Sequence, residues 1–154
     1  MRQLVIGWGN PLAGDDGIGP RAADIISNRV PADVSVLAGS YSGLRLVESM
    51  RGYDRVIIAD IRIDEADTTL RTDVIHPHEL EAPTRCLRHD GSLVEFLRVF
   101  RVLNDLELPT EVVLVTAPVP APSDWRDGLS TAGERAAQRL ADAVVHQLEV
   151  TAVV

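Results

Sequence analysis

Two carboxylates and one imidazole are the side chains of this sequence best placed to do chemistry. Asp16 ends a glycine-rich loop that follows the first apolar run of the chain. Asp60 follows a later apolar run, and His89 precedes an amphipathic segment. Ligands of an open α/β sheet bind outside the carboxyl ends of the strands, where such loops gather. If the three segments converge there, they form a metal site with open positions, because carboxylate and imidazole suit divalent ions such as nickel or zinc.

Each of these residues also has a purely structural interpretation. Asp16, or its neighbour Asp15, can be the N-cap of the first helix, where a side-chain oxygen accepts a backbone N–H. Asp60 can be a turn residue after its strand, and His89 can be a loop residue that faces solvent. Spacing alone does not decide between these interpretations and a metal site.

The glycine-rich loop does not have the spacing of a dinucleotide-binding loop. Gly7, Gly9 and Gly14 follow the pattern G-x-G-x-x-x-x-G instead of G-x-G-x-x-G. The adjacent carboxylates of Asp15 and Asp16 would repel a pyrophosphate from the helix that follows. A nucleotide-binding α/β enzyme is therefore a disfavoured alternative.

Three further features are weaker candidates for chemistry. His76 and His78 are close together, but no further Cys or His at ligand spacing completes a zinc site, so we interpret them as part of a surface loop. Cys86 precedes His89, yet a nucleophile needs its base close in space, so we interpret it as a structural or incidental thiol. No G-x-S-x-G motif occurs, which disfavours a serine hydrolase.

The elements that must position these residues alternate between strands and helices along the whole chain, 1–154, as a single domain. Short apolar, β-branched runs predict buried strands, and apolar residues at helical spacing predict the helices. Ser92 with Glu95, and Thr131 with Glu134, have the spacing of a capping box at a helix start. The pattern predicts a three-layer α/β/α domain with a mostly parallel sheet. The predicted strands are 4–6, 34–37, 55–60, 68–75 and 111–116, and the predicted helices are 18–26, 43–50, 93–103 and 131–148.

Composition excludes several classes of function. Formal net charge is −8, and all 15 basic residues are arginine. Nucleic acid is an improbable partner, because its phosphates need a basic face. The single cysteine excludes an intramolecular disulfide, and no apolar run approaches the roughly 20 residues of a membrane span. We therefore expect a cytoplasmic protein with no membrane partner.

The segment 7–19, GWGNPLAGDDGIG, closely resembles the N-terminal signature of the maturation endopeptidases of [NiFe]-hydrogenases. The similarity extends through 57–60, His89 and 128–130. This resemblance implies a five-stranded, mostly parallel, twisted sheet between helices, of the phosphorylase/hydrolase-like kind. It also implies nickel ligation by residues equivalent to Asp16, Asp60 and His89. Within the signature, Gly9, Asn10, Asp15 and Gly17 would form the supporting loop.

The resemblance further implies an endopeptidase that removes the C-terminal extension of the hydrogenase large-subunit precursor after nickel insertion. Nickel held by the precursor would be the recognition element. Asp16 and Asp60 would be the catalytic carboxylates, either with the metal polarising the scissile carbonyl or water, or as an unassisted pair that activates water. The alternative is a non-catalytic, metal-sensing chaperone that holds the large subunit without cutting it.

Overall fold

The computed structural model describes residues 1–41, 43–82, 92–103, 107–121 and 126–151. The five strands and four helices that the sequence pattern predicts all form, together with two short 3-10 turns. The elements in chain order are β1 (Gln3–Trp8), a 3-10 turn (Gly14–Gly17), α1 (Ile18–Ser27), β2 (Val34–Gly39), α2 (Gly43–Met50), β3 (Arg55–Ile63), β4 (Arg71–Ile75), a 3-10 turn (Pro77–Glu79), α3 (Leu93–Val102), β5 (Glu111–Val119) and α4 (Thr131–Thr151).

The strands form one sheet in the order β2-β1-β3-β5-β4. All neighbours are parallel except β4, which pairs antiparallel with β5 at the edge. The chain passes from β1 to β2 on one side and then returns to place β3 on the other side of β1. The junction of β1 and β3 is therefore the switch point at which such sheets form a ligand crevice.

Two apolar cores lie on opposite faces of this sheet and confirm the three-layer α/β/α prediction. Side chains of a strand alternate between faces, so Ile57 and Ala59 pack against α1 and α4, whereas Val56 and Ile58 pack against α2 and α3. By the same alternation, Asp60 belongs to the face covered by α2 and α3.

The predicted end of β3 at Asp60 is wrong. The strand continues to Ile63, because Ile61, Arg62 and Ile63 pair in register with the last three residues of β5. Pairing with β1, in contrast, stops at Ala59. Asp60 therefore lies within a strand, at the first position beyond the reach of β1.

The predicted helix caps are only partly correct. Ser92 and Glu95 form the reciprocal capping box of α3, as predicted. At α4 the prediction of Thr131 as the cap is wrong, because the Ser130 hydroxyl accepts the hydrogen bond from the Gly133 N–H at 2.9 Å.

The edge strand β4 begins at Arg71 and not at residue 68 as predicted, since only 71–75 pair with β5.

None of the helices in the described part of the chain combines the length and the apolar character that a membrane span requires.

Candidate functional site

Glycines allow the start of α1 to pack directly onto β1 and β3. A Cβ at Gly19 would overlap the carbonyl oxygens of Trp8 and Ala59, and a Cβ at Gly7 would overlap Gly19. Gly9 leaves β1 at a φ of +148° and passes so close to the Asp16 carbonyl that a side chain has no room. This close packing holds the loop after β1 against the end of β1 and its neighbour β3.

Asp16 is oriented by the backbone of this loop. The Asn10 N–H donates to Oδ2 of Asp16 at 2.8 Å. The Asn10 side chain stabilises the loop itself, because its Oδ1 accepts the Leu12 N–H at 3.0 Å. Gly17 closes the loop against Pro11, whose Cα leaves too little room for a Cβ. The carboxylate of Asp16 is thus fixed by a main-chain donor, and it is half-buried.

Neither Asp15 nor Asp16 is the N-cap of α1. Gly17 occupies that position, and no side chain caps it. Asp15 instead holds the start of α4: the Ser130 N–H donates to Oδ1 and the Ser130 hydroxyl donates to Oδ2, both at 2.8 Å. The Gly14 N–H also donates to the Arg126 carbonyl at 2.6 Å. These bonds tie the 3-10 turn that carries Asp16 to the last helix.

Asp60 is the second carboxylate at the switch point. The Ile61 N–H donates to its Oδ1 at 2.7 Å. Burial raises the pKa of Asp60 to about 6, the negative charge of Asp16 adds to this rise, and the hydrogen bond from Ile61 opposes it. The effect of Asp16 on this pKa means that the two carboxylates lie within electrostatic reach of each other.

The two carboxylates share one arrangement. Each has one oxygen held by a backbone N–H, Oδ2 in Asp16 and Oδ1 in Asp60. The remaining oxygen of each has no hydrogen-bond partner among the residues that the structure describes. Each carboxylate is thus held in one orientation and has one oxygen available for a ligand. Together the two available oxygens can bind a divalent cation, or accept a proton from a water molecule.

His89, the third member of the predicted trio, lies outside the described residues, as does Cys86. Within the described ranges no three His, Cys, Asp or Glu side chains are grouped closely enough to hold a metal ion.

His76 and His78 are exposed around the second 3-10 turn, and each ring contacts a backbone carbonyl at 3.3 Å. They agree with the surface-loop interpretation.

Ser130 supports the site in a way that the sequence analysis, which included it only in the 128–130 similarity, did not predict. Its only local signal is the S-T-A-G run before α4, in which a serine precedes the helix and a glycine follows three residues later. Gly133 is required there, because a Cβ would overlap the Asp15 carboxylate. The pairing itself joins residues far apart in the chain, which no local pattern encodes.

Comparison with curated proteins finds clear relatives, although no protein-family model matches the chain. The chain is 30% identical over 152 residues to the hydrogenase expression/formation protein HupD of Bradyrhizobium diazoefficiens, covering 92% of this chain and 79% of the relative. It is 29% identical over 119 residues to the hydrogenase 2 maturation protease of Escherichia coli, covering 75% and 71% of the two chains. The chain belongs to the hydrogenase maturation protease family. Membership of this family assigns it a protease role.

Structures of hydrogenase maturation proteases share this fold. The maturating endopeptidase HybD from E. coli superposes with a TM-score of 0.76 at 25% identity, over 98% of this chain and 94% of that one. A hydrogenase 2 maturation peptidase from a Thaumarchaeota archaeon gives a TM-score of 0.68 at 28% identity, over 96% and 98% of the two chains. The α/β fold class and the family resemblance expected from the sequence are both confirmed.

Proposed function

We propose that this chain is an endopeptidase that removes the C-terminal extension of the [NiFe]-hydrogenase large-subunit precursor in the cytoplasm after nickel has been inserted. Family membership supports the protease role. The observation that carries the proposal is the pair of oriented carboxylates at the switch point, Asp16 and Asp60, each with one uncommitted oxygen.

Nickel belongs to the substrate in this proposal. Asp16 and Asp60 supply two hard oxygen donors, and His89 is the proposed third ligand. Three ligands from the protease leave coordination positions for groups of the precursor that already hold the metal. Burial is the main cause of the raised pKa of Asp60, and the charge of Asp16 adds to it; a cation between the carboxylates would offset that second contribution. Precursor without nickel would lose this docking interaction.

The proton transfer is assigned to Asp60. General bases work best when their pKa lies near the working pH, and in the metal-free protein burial, with the charge of Asp16 adding to it, raises the pKa of Asp60 to about 6. Its Oδ1 is held by the Ile61 N–H, so Oδ2 is its one oxygen left for chemistry: it would bind the cation in the metal-assisted alternative, and take the proton of the attacking water when the two carboxylates act unassisted. Asp16, whose Oδ2 accepts the Asn10 N–H, faces the cation. Its negative charge also helps to raise the pKa of Asp60. The metal, when the precursor brings it, supplies Lewis-acid polarisation of the scissile carbonyl.

The experiment compares nickel-loaded precursor with the same precursor purified without nickel. Each is incubated with the purified protein, and the intact mass of the precursor is measured over time. We expect loss of the C-terminal extension from the nickel-loaded form alone. Cleavage of both forms would contradict recognition of nickel. Stable binding of the nickel-loaded form without any loss of mass would favour the chaperone alternative.

A further inference from the structure

The loop that joins β1 to the first 3-10 turn, residues 9–13, uses all of its backbone N–H groups inside the protein. Each donates to an oxygen of the chain: Gly9 to the Gly39 carbonyl at 3.2 Å, Asn10 to the Asp16 carboxylate at 2.8 Å, and Leu12 and Ala13 to two oxygens of Asn10, both at 3.0 Å. Pro11 has no N–H. The backbone of this loop therefore has no donor left for a substrate.

The side-chain amide of Asn10 is different. Its Oδ1 accepts the Leu12 N–H at 3.0 Å, which restricts how the amide can rotate. Its Nδ2 has no acceptor among the residues that the structure describes, and Asn10 is only half-buried, so that a ligand can reach it. The amide is thus held at one end and has two N–H groups available at the other.

Asn10 is bonded directly to one of the two candidate carboxylates. Its backbone nitrogen lies 2.8 Å from Oδ2 of Asp16. Nδ2 is four covalent bonds from that nitrogen, so it lies within about 8 Å of the same oxygen. A substrate carbonyl that accepts from Nδ2, and a water molecule that contacts the carboxylate, fit into this distance.

Two other side-chain donors near the carboxylates already have partners. Arg62, two residues beyond the second carboxylate, pairs with Asp64 and Asp67. Trp8, at the end of β1, donates its Nε1–H to the Tyr41 carbonyl at 3.1 Å. Neither is as free to bind a substrate as the amide of Asn10.

Hydrolysis of a peptide bond between two carboxylates requires a donor of this kind. As the water oxygen bonds to the scissile carbonyl carbon, one water proton passes to a carboxylate and the electron pair of the C=O π bond moves to the carbonyl oxygen. The carbonyl oxygen becomes negative beside Asp16 and Asp60, which repel the new charge and, when ionised, donate no hydrogen bonds. A donor directed at that oxygen offsets the repulsion. The proton passes to the amine nitrogen when the C–N bond breaks.

We propose that Asn10 is a further catalytic residue, whose Nδ2 donates a hydrogen bond to the oxygen of the scissile carbonyl as that oxygen becomes negative. This inference rests on the proposed function. Asn10 then has two roles, because its backbone N–H orients Asp16 and its side-chain amide binds the reacting carbonyl. The bond from Leu12 holds the amide before the substrate arrives, which reduces the reorganisation needed during the reaction.

The test replaces Asn10 with serine and measures the kinetics of extension release from nickel-loaded precursor. A serine hydroxyl can still accept the Leu12 N–H and the backbone N–H can still hold Asp16, but the amide donor is lost. We expect Asn10→Ser to lower kcat about a hundredfold and to leave KM within about twofold of the wild-type value, since the donor acts mainly in the transition state. Asn28→Ser is the matched control, because the exposed Asn28 amide donates only to the Asp24 carbonyl, and it should match the wild type.

Asn10→Asp is a second variant, and it decides the question if Asn10→Ser does not fold. It has nearly the shape of asparagine and keeps an acceptor for the Leu12 N–H, but it replaces the donor with a negative charge, so its kcat should be lower still. A kcat within about threefold of the wild type in either folded variant, or a loss of kcat/KM that comes entirely from KM, would overturn the proposal. If the wild type itself does not cleave, the proposed function fails; if the wild type and both variants cleave equally well, only the role of Asn10 is wrong.

Discussion

Replacing Asp60 with asparagine should make the folded protein more stable at neutral pH while removing its proposed activity. Burial raises the pKa of this carboxyl to about 6 from its ordinary value of 3.8, and the charge of Asp16 adds to the rise. The folded state therefore holds the Asp60 proton to a higher pH than the unfolded chain does. As pH rises from about 4 through 6, the wild type pays an increasing penalty for ionising this group.

The size of the effect follows from the two pKa values. Each pH unit between them corresponds to about 1.4 kcal/mol, so the penalty reaches about 3 kcal/mol above pH 7 and vanishes below pH 4. Asparagine has nearly the same shape, carries no charge and keeps an oxygen that can accept the Ile61 N–H. Asp60→Asn should therefore gain most of that free energy of unfolding at pH 8 and almost none at pH 4.

Urea denaturation of both proteins at intervals from pH 4 to pH 8 measures this difference. Asp67→Asn is the control, because the pKa of Asp67 is shifted downwards and its replacement should therefore change the free energy of unfolding in the opposite direction. The hydroxyl and N–H of Thr69, followed by the charge of Arg62 and a hydrogen bond from Arg71, lower the pKa of Asp67 to about 2. The stability that Asp67 contributes is present above its unfolded pKa and is lost as pH falls towards 2, so Asp67→Asn should be destabilised at pH 7.

Two results would refute this reasoning. One is an Asp60→Asn protein that is less stable than the wild type at pH 8. The other is a stability difference between the two proteins that stays constant from pH 4 to pH 8. Either would mean that Asp60 is not a desolvated carboxyl near a second negative charge, and the assignment of Asp60 as the base would then lose its physical support.

Further substitutions test how the site is held. Asp16→Asn should lower the pKa of Asp60 towards its ordinary value, because a negative charge is removed, and an NMR titration of the carboxyl carbon that shows no shift would contradict this. Gly19→Ala should lower the free energy of unfolding, measured by urea denaturation, by about 3 kcal/mol, since a Cβ there meets backbone atoms. Gly128 has open space around it and a φ of +82°, so Gly128→Ala should lower it by only about 1 kcal/mol. Equal costs would argue against the close packing of α1. Asp15→Ala should lower the free energy of unfolding by about 3 kcal/mol, because two hydrogen bonds to the start of α4 are lost, and a change within error in thermal unfolding would show that this link is unimportant.

Local sequence patterns were enough to predict the order and type of the elements. The apolar run at 4–6, the glycines after it and the amphipathic segment from Ile18 each carry their own signal, and the structure contains a strand, a loop and a helix there. The same reasoning predicted that Asp16 and Asp60 lie near the carboxyl ends of strands at one edge of the sheet.

Features that depend on distant partners could not be predicted in this way. The length of β3 beyond Asp60 is set by pairing with β5, whose partner residues lie 56 positions further along the chain, as Ile61 and Ala117 do. The role of Asp15 depends on Ser130, 115 residues away, so local spacing favoured a helix cap that does not form. Likewise, the pKa of Asp60 depends on burial and on the approach of Asp16, neither of which is a property of the strand sequence.

Cleavage of nickel-loaded precursor by single-residue variants tests most directly whether the predicted trio does the chemistry. The initial rate of extension release is measured by mass spectrometry for the wild type, Asp16→Asn, Asp60→Asn and His89→Ala, with Asp73→Asn on the exposed edge strand β4 as the control. The control should match the wild type, and the three site variants should be slower by at least about a hundredfold. Release of the extension at the wild-type rate by folded Asp16→Asn and Asp60→Asn proteins would contradict the central claim.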